Sequence, residues 1–445
     1  MSRRRFTLPI TLAVLMALAG CGGGSPSTPT ESTTSTATDQ CSTLGQVEFV
    51  RTTLQDIYLW YMQLPDPDPA GFNSPEAYLD AVRYRPIDTS YSYIASKAAS
   101  DAFFSDSQLI GIGVSYRQTA ASELRVAQTF PGSPAADAGM TRSDYILAIN
   151  GTSVAQLLST GGVSAAFGPD QEGVQVTMRW RAPGGPELEA TLVKRKVTIP
   201  TVSATAVFDV GGMRVGYIFF RNFVTPSVEA LNTAFDQLLA EGATDLVLDL
   251  RYNGGGFVSV AQHLGSLIGG RSTSGEVLVN FRHNDKNTDR NEAVLLEDKP
   301  NALEVPRLVV ITTGGSASAS ELIINGLRPF MNVTVVGSRT FGKPVGQYNF
   351  DFCEKVLFPV VFVGENAAGE GDYFDGIPAD CAAPDDLDHA IADTREASLA
   401  EALSFLRTGR CSGNASAEAE VQARRRTVVP RPYEGDPWRQ LLGAN

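Results

Sequence analysis

The chain has 445 residues, more than one typical domain, which predicts two or three folded units with tails. Hydrophobic residues make up 43% and charged residues 19%, which is enough apolar material for a large core. The net charge of −13 at pH 7 argues against nucleic-acid binding, because phosphates are bound by basic surfaces.

The first twenty residues have the pattern of a lipoprotein signal peptide. Three arginines at positions 3–5 precede an apolar run over residues 6–19 that is too short for a comfortable transmembrane helix. The run ends in Leu-Ala-Gly-Cys, which resembles a lipobox and predicts lipidation of Cys21. We therefore expect a lipid-anchored protein of the bacterial cell envelope, in the outer membrane and facing the periplasm. An ordinary signal peptide with a chance cysteine and a short membrane anchor are the alternatives.

Four cysteines remain for the folded part: Cys41, Cys353, Cys381 and Cys411. In an exported protein they predict two disulfides, with three possible pairings. The pairing we favour joins Cys353 to Cys381 and Cys41 to Cys411, the second bond linking the start of the folded part to its end. The cysteine spacing does not suit a metal and the chain has only three histidines, so no metal site is expected.

The segment after the signal peptide, residues 21–41, is a Gly/Ser/Thr/Pro tether with almost no apolar content. Residues 42–105 then predict a small helical domain. VEFVRTTLQDIYLWYMQL has apolar residues at helical spacing and ends at a proline-rich stretch. Ser74 and Pro75 mark the start of a second helix. This domain carries no catalytic motif.

Residues 106–200 predict a β domain, since LIGIGVSY, ELRVAQTF, YILAING and VQVTMRW are short strand-like runs between turn residues. Residues 201–410 alternate strands such as DLVLDLR and RLVVITT with helical runs. That alternation predicts an α/β domain with largely parallel strands. Residues 411–445 form a polar tail.

One candidate nucleophile lies in GGSASASE, directly after the strand LVVITT and at the start of a helix. A serine at this turn is exposed and lies beside the free N–H groups of the helix start, which can stabilise an oxyanion. A serine-rich helix cap is the alternative interpretation.

A candidate base lies in TFGKPVGQ, after the strand VTVVG. A serine nucleophile needs a group that takes its proton, and a lysine can do so when burial lowers its pKa. Lys343 is flanked by Phe341, Pro344 and Val345, which can supply an apolar wall. A solvated lysine in a hairpin turn is the alternative.

A glycine run ends the strand DLVLDL in the string DLRYNGGG. At the carboxyl end of a strand, such a run can present backbone N–H groups to an oxyanion. The string has neither the Lys-Ser/Thr ending of a phosphate loop nor GxGxxG spacing, so nucleotide binding is poorly supported.

Together, in this order and spacing, DLRYNGGG, GGSASASE and TFGKPVGQ resemble the C-terminal processing peptidase (tail-specific protease) family. The resemblance extends over about residues 45 to 408 and implies an α/β, crotonase-like peptidase core. It implies that Ser318 is the nucleophile, that Lys343 is the base and that Gln347 orients the lysine. The N–H groups of Gly255 and Ala319 would form the oxyanion hole.

The family loop usually reads closer to DLRNNPGG, whereas this chain has Tyr252 and Gly254. The extra glycine leaves open whether Gly255 or Gly256 supplies the N–H group. Pro344 restricts the backbone after the lysine but leaves its amine in place.

The string Gly111-Ile112-Gly113-Val114 resembles the carboxylate-binding loop of PDZ domains. The resemblance implies that residues 106–200 form a PDZ-like domain that binds a peptide C-terminus by strand addition. Together with nearby Leu109, the apolar residues of the loop suggest substrates with apolar C-termini. A small β domain with a packing role is the alternative.

The sequence therefore predicts a serine endopeptidase without a cofactor, acting on protein or peptide chains near their C-termini and with an activator or adaptor protein as a further candidate partner. Three alternatives remain: a pseudo-enzyme that binds without cutting, an envelope adaptor that works through its PDZ-like domain, and a non-peptidase acyl enzyme related to enoyl-CoA hydratases. The PDZ-like domain and the lack of a basic site for a CoA phosphate argue against the last.

Overall fold

The computed structural model describes residues 39–413. The predicted signal peptide with Cys21, most of the tether and nearly all of the polar tail lie outside the described residues. Within residues 39–413, no helix is long and apolar enough to span a lipid bilayer. In chain order, the described part consists of an N-terminal region (42–105), a β-rich region (106–200) and a C-terminal region (201–410).

The N-terminal region is mainly helical, as predicted. Ser74 caps the second helix by accepting a hydrogen bond from the Ala77 N–H (3.1 Å), and Pro75 takes the first helical position. The elements are α1 (Thr43–Ile57), α2 (Pro75–Val82), β1 (Tyr93–Ser96) and α3 (Lys97–Asp106), with short 3-10 helices at Tyr61–Gln63 and Pro69–Gly71.

Helix α1 ends at Ile57, seven residues before the end of the apolar pattern that predicted it. The chain leaves the helix because the next residues bond to distant partners. The Tyr58 hydroxyl donates to the carboxylate of Asp88 (2.9 Å), and the Leu59 N–H donates to the carbonyl of Val360 (2.9 Å). The end of α1 is therefore set by tertiary contacts and not by helix propensity.

The β-rich region has its own apolar core, and all four of the predicted strand runs are present. LIGIGVSY forms two strands rather than one. They separate at Gly113, whose φ of +78° favours glycine. A Cβ atom at this position would lie 2.1 Å from the Cβ of Ser133, so no larger residue fits. The elements are β2 (Gln108–Gly111), β3 (Val114–Ala120), β4 (Glu123–Thr129), α4 (Pro134–Asp137), β5 (Tyr145–Ile149), β6 (Thr152–Ser153), α5 (Val154–Thr160), α6 (Val163–Ala166), β7 (Gln175–Arg181), β8 (Glu187–Val193) and β9 (Arg195–Thr198).

Two sheets make up this region. The larger has the order β3-β4-β5-β7-β8, with β6 paired to β5, and β3 lies at its edge. Strands β2 and β9 form a separate antiparallel pair where the chain enters and leaves the region.

The C-terminal region is an α/β unit, as predicted. Its elements are β10 (Val202–Val210), β11 (Met213–Phe220), α7 (Ser227–Ala240), β12 (Asp245–Asp249), α8 (Val258–Gly269), β13 (Val277–His283), β14 (Ala293–Leu295), β15 (Arg307–Thr312), α9 (Ala319–Leu327), β16 (Asn332–Gly337), β17 (Val345–Gln347), β18 (Phe350–Phe352), β19 (Lys355–Phe358), β20 (Val360–Glu365), β21 (Cys381–Ala382) and α10 (Ala397–Thr408), with 3-10 helices at Gly270–Thr273 and Thr288–Arg290.

The main sheet of this region has the order β10-β11-β12-β15-β16-β21. All its neighbours are parallel except the β10–β11 hairpin. Apolar residues of α7, α8 and α9 pack in one core cluster with this sheet, and those of α10 pack in another. Strands β12 and β15 are adjacent and parallel, so the loops that follow them emerge at the same edge of the sheet.

Two smaller sheets complete the fold. One has the order β14-β13-β20-β17 and carries the segment that follows Lys343. The other, β1-β19-β18, joins the N-terminal region to the C-terminal region, with Tyr93 opposite Phe358 and Ser96 opposite Lys355. This strand pairing was not predicted from the sequence.

The predicted disulfide pairing is wrong. The structure joins Cys41 to Cys353 and Cys381 to Cys411, with Cα–Cα distances of 5.8 and 5.3 Å. Cys353 lies in the turn between β18 and β19, next to the start of the N-terminal region, because β1 pairs with that hairpin. Cys381 lies in the edge strand β21, close to the segment that follows α10. The pairing thus follows from strand order, which cysteine spacing does not contain.

Candidate active site

Ser318 lies between β15 and α9, immediately before the first residue of the helix. Its φ of +56° and ψ of −115° are unusual for a residue with a side chain and mark a tight turn. The side chain is half-buried and lies at the positive end of the helix dipole. The turn therefore presents a hydroxyl where negative charge is favoured.

Lys343 is buried, with 5% of its surface exposed. Burial lowers the pKa of this lysine to about 8, although the negative charges of Asp88 and Glu321 act in the opposite direction. A substantial fraction of the amine is therefore neutral in mildly alkaline solution, and only the neutral amine has a lone pair that can accept a proton.

Gln347 holds the end of the Lys343 side chain. Its Nε2 donates hydrogen bonds to the carbonyls of Tyr91 (2.6 Å) and Phe358 (2.8 Å), so both amide hydrogens are in use. Its Oε1 therefore faces the lysine and accepts a hydrogen bond from Lys343 Nζ. The predicted orienting contact is present in the structure.

Ser318 and Lys343 line the same cavity, which has a volume of about 420 Å³. Aromatic residues such as Phe104, Phe257 and Phe358 form much of its wall. The two side chains are not hydrogen-bonded to each other, and the only partner of Lys343 Nζ among the described residues is Gln347. Proton transfer between them would therefore require a movement of the side chains, as is common for catalytic pairs without substrate. A larger cleft, of about 770 Å³, borders residues 369–378 and includes neither side chain.

The glycine loop after β12 contacts the serine directly. A methyl group on Gly255 would lie 2.9 Å from Ser318 Cβ, and the φ of Gly255 is +101°, so this position requires glycine. Its N–H group, however, donates to the side-chain oxygen of Asn253 (2.9 Å). In this arrangement the N–H of Gly255 is not available to a substrate.

The N–H of Gly256 makes no hydrogen bond within the described residues. The Phe223 N–H donates to the carbonyl of Gly255, and the Phe257 N–H donates to the carbonyl of Phe223. The N–H of Gly256 itself therefore points away from Phe223. Ala319 begins α9, so its N–H has no acceptor within the helix. The sequence left the choice between Gly255 and Gly256 open, and the hydrogen bond to Asn253 favours Gly256.

Glu321 is a site residue that the sequence interpretation missed. Its buried carboxylate accepts hydrogen bonds from the N–H groups of Ser318 (2.9 Å), Gly342 (2.7 Å) and Lys343 (2.8 Å) and from the Thr340 hydroxyl (2.5 Å). Burial raises the pKa of Glu321, and these hydrogen bonds oppose the rise. One side chain thus fixes the backbone of both the serine and the lysine. The Ser-x-x-Glu spacing of a capping box was the signal that could have identified it.

The predicted peptide-binding loop lies apart from this cavity. Gly111 ends β2 and Val114 begins the edge strand β3, while the side chains of Ile112 and Val114 are buried in the core of the β-rich region. The carbonyl of Gly113 accepts hydrogen bonds from the Phe130 N–H (3.0 Å) and the Ser133 hydroxyl (3.3 Å). The loop is therefore well ordered by its own region.

The fold and the site together define a class: an α/β protein with a serine at a helix start and a buried lysine beside it. The sequence matches peptidase family S41 over residues 214–361 and the peptidase S41 N-terminal domain over residues 45–93. Over these residues the chain is similar to peptidase family S41, and the resemblance to C-terminal processing peptidases is confirmed.

Two curated relatives and one solved structure illustrate this similarity. The chain is 27% identical over 267 residues to a chloroplast C-terminal processing peptidase of Tetradesmus obliquus, covering 55% of this chain and 53% of the relative. It is 29% identical over 248 residues to a carboxyl-terminal-processing protease of Synechocystis, covering 56% of each. The chain thus spans about half the length of these relatives. An S41 protease structure from Bacteroides fragilis shares the fold, with a TM-score of 0.66 at 23% identity over 81% of this chain and 97% of that one.

Proposed function

We propose that this protein is a serine endopeptidase that cleaves protein or peptide chains near their C-termini by a Ser318/Lys343 mechanism. The observation that carries the proposal is the buried Lys343, whose pKa is lowered to about 8, in the same cavity as a serine at a helix start. A lysine with only a packing role would gain nothing from being buried without a carboxylate partner.

The steps follow from these contacts. Neutral Lys343 takes the proton of the Ser318 hydroxyl, and Ser318 Oγ attacks the peptide carbonyl. The N–H groups of Ala319 and Gly256 stabilise the resulting oxyanion. The lysine then protonates the leaving amine, and water releases the acyl group. Gln347 keeps the amine in place throughout by accepting one of its hydrogens. No step requires a metal or an organic cofactor.

The finer features remain parts of the proposal. The edge strand β3 and the loop from Gly111 to Val114 would bind a substrate C-terminus in a PDZ-like domain, with a preference for apolar ends. The core would be crotonase-like. A lipid on Cys21 would place the enzyme in the bacterial cell envelope, at the outer membrane and facing the periplasm, where an activator or adaptor protein could meet it.

A binding protein that does not cleave is the second candidate. It is favoured by the absence of a hydrogen bond between Ser318 and Lys343 in the described residues. In that case the β-rich region would bind the peptide, and this binding would persist in a variant that lacks the Ser318 hydroxyl.

The test is cleavage of an unfolded protein with an apolar C-terminus by the full-length protein in detergent, with products identified by mass spectrometry. The full chain is needed because Cys41 forms a disulfide with the C-terminal region. We expect the wild type to cleave and the Ser318→Ala and Lys343→Ala variants to lose at least a thousandfold in rate while remaining folded.

The pH dependence provides an independent check. Because only the neutral amine accepts the proton, kcat/KM should rise with pH to a plateau with a midpoint near the Lys343 pKa of about 8. Peptide binding without cleavage across a range of substrates, by a protein whose Ser318→Ala variant binds equally well, would favour the binding protein.

A further inference from the structure

The N-terminal region, which carries no catalytic motif in the sequence, contacts two residues that hold the proposed base, Gly342 and Gln347. Tyr91 is buried and lies just before β1. Its hydroxyl donates a hydrogen bond to the carbonyl of Gly342, the residue before Lys343. Its own carbonyl accepts a hydrogen bond from Gln347 Nε2 (2.6 Å). One residue therefore holds the lysine at two points, more than 240 positions away in the sequence.

The two contacts act on different parts of the lysine. At the backbone, the N–H groups of Gly342 and Lys343 are held by Glu321 on one side, and Tyr91 holds the Gly342 carbonyl on the other. At the side chain, the Tyr91 carbonyl helps to turn the Gln347 amide so that its oxygen faces Lys343 Nζ. The backbone at Gly342 is tightly packed, since a methyl group on this residue would lie 2.2 Å from the carbonyl oxygen of Phe374.

We propose that Tyr91 is a positioning residue that fixes the place and the proton affinity of Lys343, an inference that rests on the proposed peptidase function. Tyr91 supplies two hydrogen bonds, to Gly342 and from Gln347, that come from outside the loop after β16 that carries Lys343. The catalytic unit therefore includes the N-terminal region, and the Cys41–Cys353 disulfide and the β1–β19 pairing keep that region in place.

The electrostatic surroundings are consistent with this role. The charged groups that act on Lys343 are Asp88 and Glu321, and the half-buried phenol of Tyr373 lines the adjoining pocket. Burial raises the pKa of Tyr91 to about 12, helped by the charges of Glu321, Asp88 and Asp375. Tyr91 therefore stays protonated and can donate its hydrogen bond at every pH at which the enzyme would work.

The test uses Tyr91→Phe in the full-length protein, with Tyr61→Phe as the matched control. Tyr61 lies in the same region, but its hydroxyl bonds to Asp285 at the surface. Two readouts are needed. One is the 13Cε chemical shift of Lys343 as a function of pH, assigned with Lys343→Arg. The other is the rate at which a fluorophosphonate modifies Ser318, a reaction in which the Oγ–P bond forms, fluoride leaves and the hydroxyl proton goes to the lysine.

In the wild type we expect both curves to have a midpoint near pH 8. Tyr91→Phe should lower the plateau rate about tenfold, as for one lost hydrogen bond beside a reacting group. It should also move both midpoints to higher pH, because the freed Gly342 carbonyl admits water and reduces the desolvation of the ammonium. Tyr61→Phe should leave both curves unchanged.

The proposal is overturned if Tyr91→Phe leaves both midpoints unchanged. This holds also if the rate falls, when the fall matches the loss of folded protein measured by circular dichroism. Failure of the peptidase function looks different. The wild-type serine would then neither cleave nor react with the probe, while the Lys343 titration would still report whether Tyr91 controls it.

Discussion

The N-terminal region and the β-rich region both contact the candidate active site, but they are attached to the C-terminal region by different forces. The N-terminal region shares a strand pairing, a disulfide and an apolar cluster with it. That cluster contains Val47, Val50, Leu54, Tyr58, Tyr78, Leu79, Val82, Tyr91, Ile94, Val345, Phe352, Leu357 and Val360.

The body of the β-rich region is held mainly by arginines. Arg142 bonds to the Tyr252 hydroxyl (2.9 Å) and the His389 carbonyl (2.9 Å), and Arg125 pairs with Asp388 (2.7 Å). Its apolar contacts with the neighbouring regions are few: the base at β2 and β9 lies in one mixed cluster together with Phe130, and Ala127 of β4 lies in another.

The two regions also touch different halves of the site. The N-terminal region holds the proposed base through Tyr91, whereas the β-rich region holds the loop before the glycines of the proposed oxyanion hole. Arg117 reaches the Arg251 carbonyl (3.4 Å) and Arg142 reaches the side chain of Tyr252. Apolar burial and covalent bonds persist in salt, while contacts between charges are screened. We therefore expect the base half to be permanently assembled and the oxyanion half to depend on docking of the β-rich region.

The largest effect should come from removing the Cys41–Cys353 disulfide by the double substitution Cys41→Ser/Cys353→Ser. This bond closes a loop with a sequence separation of 312, so its loss should lower the free energy of unfolding by about 6 kcal/mol in the chain-entropy relation. Activity should fall as well, because the hairpin β18–β19 borders Gln347. Thermal denaturation and peptidase assays would measure both.

The matched control is Cys381→Ser/Cys411→Ser, which opens a separation of 30 and should cost about 3.5 kcal/mol. It lies away from the proposed base, so activity of the folded protein should be retained. Equal losses of activity in the two double variants would show that the N-terminal attachment has no special role.

An intermediate effect is expected for Arg142→Met. The substitution removes a largely buried guanidinium that contacts the Tyr252 hydroxyl and Asp385 (3.4 Å). It should lower the free energy of unfolding by about 2 kcal/mol. Hydrogen exchange should become faster in residues 251–256 and 385–389, and 0.5 M salt should have the same effect on the wild type. Arg195→Met, at an exposed pair with Asp137 inside the β-rich region, is the control. Unchanged exchange in Arg142→Met would contradict the proposed dependence on docking.

The smallest effect should follow Asp388→Asn. Asp388 is 68% exposed, so its pair with Arg125 should contribute less than about 1 kcal/mol. The difference from the wild type should disappear at high salt, as measured by urea denaturation at two ionic strengths. A persistent difference at high salt would mean that the contact is not mainly ionic.

The candidate site was partly predictable. Ser318 and Lys343 follow strands of one parallel sheet, and Gln347 lies four residues after the lysine, so short motifs were enough to find them. Glu321 stood in one of those motifs without an assigned role. Asn253, which occupies the N–H of Gly255, was likewise in view, but its contact could not be inferred from its position.

The sequence by itself determined the α/β alternation and the helix cap at Ser74 and indicated the candidate Ser/Lys pair, because each depends on neighbours within a few positions. The tertiary structure alone decided the disulfide pairing, the end of α1 and the role of Tyr91. These depend on which strands lie side by side, and Tyr91 acts partly through its main-chain carbonyl, a group that every residue has. Contacts of that kind leave no pattern in the sequence.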